Sequence, residues 1–146
     1  MPENQESETR SAGKLIGELS RAAHIYFQSE FKPYSIGHAQ IRTLLFIAKN
    51  EGSSQLELSK HLNLDKSSIT SQLQLLERNG YISRRVHDQD ARKHRLFITE
   101  KTRDILEPVK KVHASWTSIL LDGFSENEKT ELFTYLEKML SNAKKK

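Results

Sequence analysis

The segment from Ser54 to Gly80 constrains the fold most strongly, because it reads as two short helices joined by a turn of a few residues. Ser54 precedes Glu57 at the spacing of a capping box, which marks the start of a helix. Asn63 tolerates a left-handed turn, and Asp65 can cap a second helix that stops at Gly80. Two short helices with so tight a connection are typical of a helix-turn-helix.

The second of these helices has two different faces. Ile69, Leu73 and Leu76 recur at helical spacing and are predicted to point into a core. Small polar side chains let a helix approach base edges closely, and glutamine can pair with adenine through two hydrogen bonds. Taken alone, such a face also fits an ordinary solvent-exposed helix. The outer face here consists of small or hydrogen-bonding side chains and two cations: Lys66, Ser67, Ser68, Thr70, Ser71, Gln74 and Arg78.

Two strand-like runs follow, "YISRRV" at 81–86 and "RLFIT" at 95–99, with the charged stretch "HDQDARKH" between them. This arrangement predicts a β-hairpin, which beside a recognition helix would form a winged helix. Asp90 is predicted to pair with Arg92 and to shape the tip, so that Asp90→Ala should weaken DNA binding. The cations near the tip could reach an adjacent minor groove: Arg92, Lys93, His94 and Arg95.

Helices are also predicted on both sides of this segment. Upstream, apolar spacing predicts one helix from Lys14 to Phe27, stopped by Pro33, and a second from His38 to Lys49. Downstream, Thr99 should cap a long helix that Pro108 bends or breaks, and a capping box should open a last helix. The residues of that capping box are Ser125 and Glu128.

The charge distribution favours an anionic partner. From Asp65 to Arg103 there are nine Lys or Arg residues against five Asp or Glu residues. Charge alone does not distinguish a nucleic-acid surface from a solvated one. Cysteine is absent, which excludes disulfides and thiol catalysis. No apolar run approaches the roughly 18 residues of a membrane span, and the polar opening residues do not resemble a signal peptide, so we expect a cytoplasmic protein.

Neither catalysis nor a metal site is predicted. The sequence has no glycine-rich phosphate loop, no nucleophile motif and no paired carboxylates in an apolar setting, so we expect no enzyme and no cofactor. His87 and His94 flank Asp88 and Asp90, which is a conceivable metal loop. Histidines that lie near phosphate on a wing are the reading we adopt, and no metal is predicted.

The order and spacing of these motifs resemble the multiple-antibiotic-resistance regulator (MarR) family of transcription factors. The end of the wing resembles the family pattern at Asp90, Arg92, Leu96, Ile98 and Thr99, with Ile98 in place of the second leucine of that pattern. The segment before the wing matches at Leu76, Glu77, Gly80, Tyr81, Ile82 and Arg84. The stretch "QLELSKHLNLDKSSIT" resembles the helix-turn-helix of the family. Three positions depart from the common pattern: Ser71, Ala91 and Thr102.

The resemblance implies a homodimer in which the first and last helices form the interface. The fold class is then mainly α with a small β-hairpin wing (α+β), a winged helix-turn-helix with N- and C-terminal dimerisation helices. Residues 1–11 would be a disordered tail, and the whole would form one compact domain. Residues 12–34 and 103–146 would form the helical dimerisation region, and 35–102 the DNA-binding region.

The predicted function is that of a sequence-specific DNA-binding regulator, a repressor released by a small aromatic or phenolic effector and bound to a pseudo-palindromic operator. Two alternatives remain open: a sequence-indifferent architectural DNA binder, and a winged helix used for protein interaction. The proposed DNA contacts are the outer face and wing residues above together with Ser54, Gln55 and Arg84. An effector pocket is expected at His24, Tyr26, Ile41 and Trp116.

Overall fold

The structure is a computed structural model that describes residues 11–87 and 90–145, with the side chains of residues 87 and 90–93 not described. Six α-helices and three short strands make up the described chain. In chain order they are α1 (Ala12–Phe31), a 3-10 turn (Lys32–Tyr34), α2 (His38–Lys49), β1 (Ser53–Ser54), α3 (Gln55–Leu62), α4 (Lys66–Arg78), β2 (Ile82–His87), β3 (Asp90–Ile98), α5 (Glu100–Leu120) and α6 (Glu126–Lys144).

The chain divides into two compact units, Met1–Val112 and His113–Lys146. The first unit holds the core, in which α1 packs on α2 through Phe27, whose ring stacks on His38 with the centroids 4.0 Å apart. Because its C-terminal half is packed there, α1 belongs to the same unit as the helix-turn-helix. Along the described stretches, none of the helices has the length and apolar character needed to cross a membrane.

The helix-turn-helix has the predicted local geometry. The Ser54 hydroxyl accepts the Glu57 N–H at 3.1 Å, which starts α3. Asn63 ends α3 in the left-handed conformation, with φ of 52°. Asp65 then caps α4 by accepting the Ser68 N–H at 2.7 Å. The predicted inward residues of α4 have no exposed surface: Ile69, Leu73 and Leu76.

The sheet has three antiparallel strands in the order β1-β3-β2. The predicted hairpin is confirmed. Strand β2 has the expected length but is shifted by one residue and ends at His87, and β3 is longer than expected, since it begins at Asp90. The short strand β1 was not predicted. It pairs Ser53 with Leu96 and Ser54 with Arg95, so the residue that caps α3 is also held against the wing.

The start of α5 is tied to the end of α4. Thr99 does precede α5, but its hydroxyl donates to the Gly80 carbonyl at 2.6 Å. The Thr102 side chain is fully buried, and its hydroxyl donates to the Tyr81 carbonyl. The hydroxyl therefore joins α5 to the wing at a position where the resemblance leads one to expect glycine. We predicted that Pro108 bends or breaks this helix. The helix continues through Pro108 without a break, and the bend stays a prediction.

The second unit contains the C-terminal part of α5 and the helix α6. The predicted capping box is confirmed, since the Ser125 hydroxyl accepts the Glu128 N–H at 3.2 Å and the Glu128 carboxylate accepts the Ser125 N–H at 3.0 Å. No residue of α6 is buried. Its exposed large apolar residues are Phe133, Tyr135, Leu136, Met139 and Leu140.

Candidate nucleic-acid interface

The outward face of α4 is polar along its whole length. Lys66, Ser67, Ser71, Gln74 and Arg78 are exposed. The hydrogen bonds that cap the helix lower the pKa of the Asp65 carboxyl, first the Ser68 backbone N–H and then the Ser68 hydroxyl. This carboxylate is therefore engaged in starting the helix. The face offers hydrogen-bonding groups and two cations to an anionic, base-carrying partner.

Thr70 and Gln55, both predicted DNA contacts, are bound to each other. The Gln55 side-chain amide donates to the Thr70 hydroxyl at 2.9 Å. The Thr70 hydroxyl in turn donates to the Lys66 carbonyl at 2.7 Å. Both side chains are partly buried. The structure thus brings the start of α3 and the side of α4 together, and it uses the only proton of the Thr70 hydroxyl internally.

The two arginines of β2 lie on opposite faces of the sheet, because side chains alternate along a strand. Arg84 is paired with Leu96 and shares the inward face. Its Nε lies 3.3 Å from a Glu77 carboxylate oxygen, and its side chain is only 21% exposed. This pair joins α4 to the wing, so Arg84, a predicted DNA contact, is held by the protein itself.

Arg85 is a wing cation that was not among the predicted DNA contacts. It pairs with Arg95 across the strands, and both are exposed on the outward face. The Arg85 guanidinium carbon lies 4.3 Å from the centroid of the Phe97 ring, which orders the cation beside its like-charged neighbour. The alternation of Leu96 and Ile98 inward could have identified Arg85, because the register then places it outward.

The wing tip is only partly described. His94 is exposed and lies opposite Val86. The side chains of Asp90, Arg92 and Lys93 lie outside the described residues. The predicted ion pair between Asp90 and Arg92 therefore stays a prediction. The metal loop that we considered and did not adopt would use His87 and Asp88, which lie outside the described side chains as well.

A groove of about 760 Å³ opens elsewhere in the first unit, between α1, α2 and one residue of α4. Of the predicted effector residues, only His24 lines it. Ile41 is 1% exposed and belongs to the core, and Tyr26 packs edge-on against Phe27. Trp116 lies in the second unit. The lining residues are His24, Ile25, Gln28, Ser29, Lys32, Ser35, Ile36, Gly37, His38, Gln40 and Leu75.

Comparison with known proteins identifies the family. The model of the MarR family matches residues 34–93. The HTH-type transcriptional regulator BilQ from Clostridioides difficile (strain CD3) is 28% identical over 122 residues, which are 84% of this chain and 82% of that protein. The similarity to BilQ therefore extends well beyond the helix-turn-helix.

Solved structures agree with that identification. The crystal structure of a MarR transcriptional regulator from Methanosarcina mazei Go1 has a TM-score of 0.82 and 33% identity, over 91% of this chain and 96% of that chain. A MarR family regulator from Listeria monocytogenes, complexed with 26mer DNA, has a TM-score of 0.81 and 26% identity, over 91% of this chain and 89% of that chain. The winged helix-turn-helix, the matched segment and these relatives lead to one conclusion: this chain belongs to the MarR family of transcriptional regulators.

Proposed function

We propose that this protein is a homodimeric, sequence-specific DNA-binding repressor that a small-molecule effector releases from its operator. The observation that carries the proposal is the exposed polar face of α4, on which Ser67, Ser71 and Gln74 lie between Lys66 and Arg78. Two copies of α4, related by a dimer axis, would enter successive major grooves roughly 34 Å apart on a pseudo-palindromic operator. The Listeria monocytogenes relative solved in complex with 26mer DNA supports the proposal that DNA is the partner.

The contacts divide into base readers and phosphate binders. Ser67, Ser71 and Gln74 are our base readers, because they are polar and lie on the exposed face. Cations at the two ends of α4 would bind phosphate and set the register on the duplex. Ser54 at the start of α3 would approach the backbone nearby, whereas the Gln55 side-chain amide is engaged by the Thr70 hydroxyl. The wing would add minor-groove or phosphate contacts through Arg85, Arg92, Lys93, His94 and Arg95.

Dimerisation would cover apolar surface that a single chain leaves exposed. Leu15, Ile16 and Leu19 are exposed on α1, and apolar side chains of α6 are exposed as well. A soluble monomer rarely tolerates continuous apolar faces of this kind. We therefore assign both helices to the dimer interface. We also propose that this regulator of transcription acts in the cytoplasm.

The groove beside α2 is our candidate effector site. Its basic or titratable lining side chains are His24, Lys32 and His38, and none of its lining residues is a carboxylate. Apolar and uncharged polar residues complete the wall, so a small aromatic acid or phenol matches its chemistry. Leu75 belongs to α4. A ligand in the groove would contact the recognition helix and could shift the population between DNA-competent and incompetent arrangements.

The experiment that tests the function is a fluorescence-anisotropy titration of promoter duplexes flanking the gene. We expect tight, selective binding at low salt whose affinity falls steeply as salt rises, with a slope of about −0.9 for each phosphate contact. A hydroxybenzoate added to the complex should weaken binding to the operator. A chain that binds no flanking duplex at low salt would exclude the proposed function and favour a protein-interaction module.

Equal affinity for all duplexes would instead favour a sequence-indifferent architectural binder. That outcome is distinguished by the ratio of the dissociation constants for operator and scrambled duplex. Specific regulators bind their sites about 10³-fold to 10⁷-fold more tightly than other DNA. A ratio near one would show that the protein binds DNA without sequence selectivity, which would contradict the proposed regulatory function.

A further inference from the structure

The Thr70 hydroxyl already uses most of its hydrogen-bonding capacity within the protein. A hydroxyl has one proton and two lone pairs. The proton goes to the Lys66 carbonyl at 2.7 Å, and one lone pair accepts from the Gln55 amide at 2.9 Å. Thr70 cannot donate to a base without breaking the bond to its own helix. Its position on the recognition helix therefore does not make it a donor to a base.

A second hydrogen bond holds α4 from another helix. The Thr43 hydroxyl donates to the Gln72 side-chain oxygen at 2.6 Å and also lies 3.2 Å from the Ala39 carbonyl. Thr43 is fully buried in α2. The side chains of Thr70 and Gln72, only two residues apart, thus tie α4 to two different helices.

Thr70 and Gln72 lie on opposite sides of the exposed face of α4 that carries the proposed base readers. Successive residues of a helix are rotated by about 100°. Viewed down the helix axis, Ser67, Ser71 and Gln74 then fall within an arc of about 60°. Thr70 lies about 70° from the centre of this arc on one side. Gln72 lies about 130° from the centre of the same arc on the other side. Bonds on both flanks oppose rotation of the helix about its own axis.

We infer that Thr70 and Gln72 are positioning residues, which with Gln55 and Thr43 fix the rotation of α4 so that its readers face the bases. The inference rests on the proposed DNA-binding function and deepens it. A rotation of about 20° would move side-chain tips by about 2 Å, because a helix with its side chains has a radius of roughly 5–6 Å. Hydrogen bonds to base edges tolerate only a few tenths of an ångström.

The test compares Thr70→Val, Gln55→Ala, the double variant and Thr70→Ser with the wild-type chain. Dissociation constants for the operator and for a scrambled duplex are measured by anisotropy. The matched control is Thr130→Val, because the Thr130 hydroxyl also donates to the carbonyl four residues earlier, that of Glu126 at 3.0 Å. Thermal unfolding of every variant identifies any that fails to fold, and Gln55→Ala then carries the test.

We expect Thr70→Val and Gln55→Ala each to weaken operator binding by about threefold to tenfold, in line with the loss of one neutral hydrogen bond. Scrambled DNA should bind as before, and the double variant should lose no more than either single variant. Thr70→Ser keeps the hydroxyl and should restore operator binding. This non-additive loss of selectivity is what a shared positioning bond predicts.

Two results would overturn the inference while leaving the proposed function intact. A Thr70→Val variant whose preference changes at one base pair, with Gln55→Ala unaffected, would make Thr70 a reader. A Thr70→Val variant indistinguishable from Thr130→Val would remove any role in DNA binding. A wild-type chain that binds no duplex overturns the proposed function itself, and the inference with it.

Discussion

The recognition helix α4 and the C-terminal helix α6 are both amphipathic, yet their apolar faces have different surroundings. In α4 the apolar residues Ile69, Leu73 and Leu76 have no exposed surface. In α6 no residue is buried, and Leu136 and Met139 are 44% and 38% exposed. The apolar face of α4 is covered by other residues of the same chain, whereas the apolar face of α6 is exposed.

The difference shows what a hydrophobic pattern does and does not specify. Helical periodicity identifies an apolar face, but it does not identify the surface that covers it. For α4 the covering surface comes from the neighbouring helices and the wing. For α6 we assign it to a second copy of the chain. Four tests, in order of decreasing expected effect, can contradict or refine this contrast.

Leu136→Asp should have the largest effect, because it places a charge in the proposed dimer interface. We expect a folded monomer, since Leu136 is exposed in the single chain. Operator affinity should fall by more than about 100-fold, because two linked half-sites lose their avidity. Sedimentation velocity measures the oligomeric state, and circular dichroism checks the fold.

The control for Leu136→Asp is Thr134→Asp on the same helix, which adds the same charge at an exposed polar position. It should remain dimeric and bind the operator. A dimeric Leu136→Asp variant would show that this face of α6 is not the interface.

Gln74→Ala should act on base preference rather than on the fold. Gln74 is exposed on the outward face of α4. A paired glutamine–adenine contact is worth about 1–3 kcal/mol of discrimination, which corresponds to roughly fivefold to 150-fold at one base pair. Binding to a library of operator variants measures the change. An equal loss on every sequence would contradict the reading role.

Arg85→Gln and Arg84→Gln should differ although the two residues are neighbours. Arg85 faces outward with Arg95, so its loss should reduce the salt dependence of binding by about one unit of slope. Arg84 is paired with Glu77. Its replacement should leave the slope unchanged and cost at most about 1 kcal/mol of stability, because the pair is partly exposed. A reduced slope for Arg84→Gln would make it a phosphate contact.

Asp65→Ser should have the smallest effect, and a pH-dependent one. The cap lowers the pKa of Asp65 from its ordinary value of 3.8. The stabilisation by the charged cap is therefore complete above that value and is lost as the pH falls through the lower folded pKa. Serine caps without titrating, so the stability difference between the two chains should shrink in acid. A difference that stays constant between pH 7 and strong acid would contradict this account.

The local elements could be predicted because their causes are local. Helix α2 has the predicted bounds, His38–Lys49, and the caps Asp65 and Ser125 are used as expected. Strand β1 could not be predicted, because two residues carry no periodicity and its pairing with Leu96 joins distant parts of the chain. Thr99 was expected to cap α5 with its side chain, but the turn at Gly80 takes its hydroxyl instead.

The sequence could predict which residues belong to the candidate site, but not what each side chain does there. The sequence alone determined that Thr70, Ser71 and Gln74 lie near one face of one helix, because helical spacing depends only on order along the chain. Only the tertiary structure decided that Thr70 is bound to Gln55, that Ile41 is core, and that Arg84 rather than Arg85 is held by Glu77. Hydrogen bonds, burial and ion pairs depend on residues far away in sequence, which only the folded chain brings together.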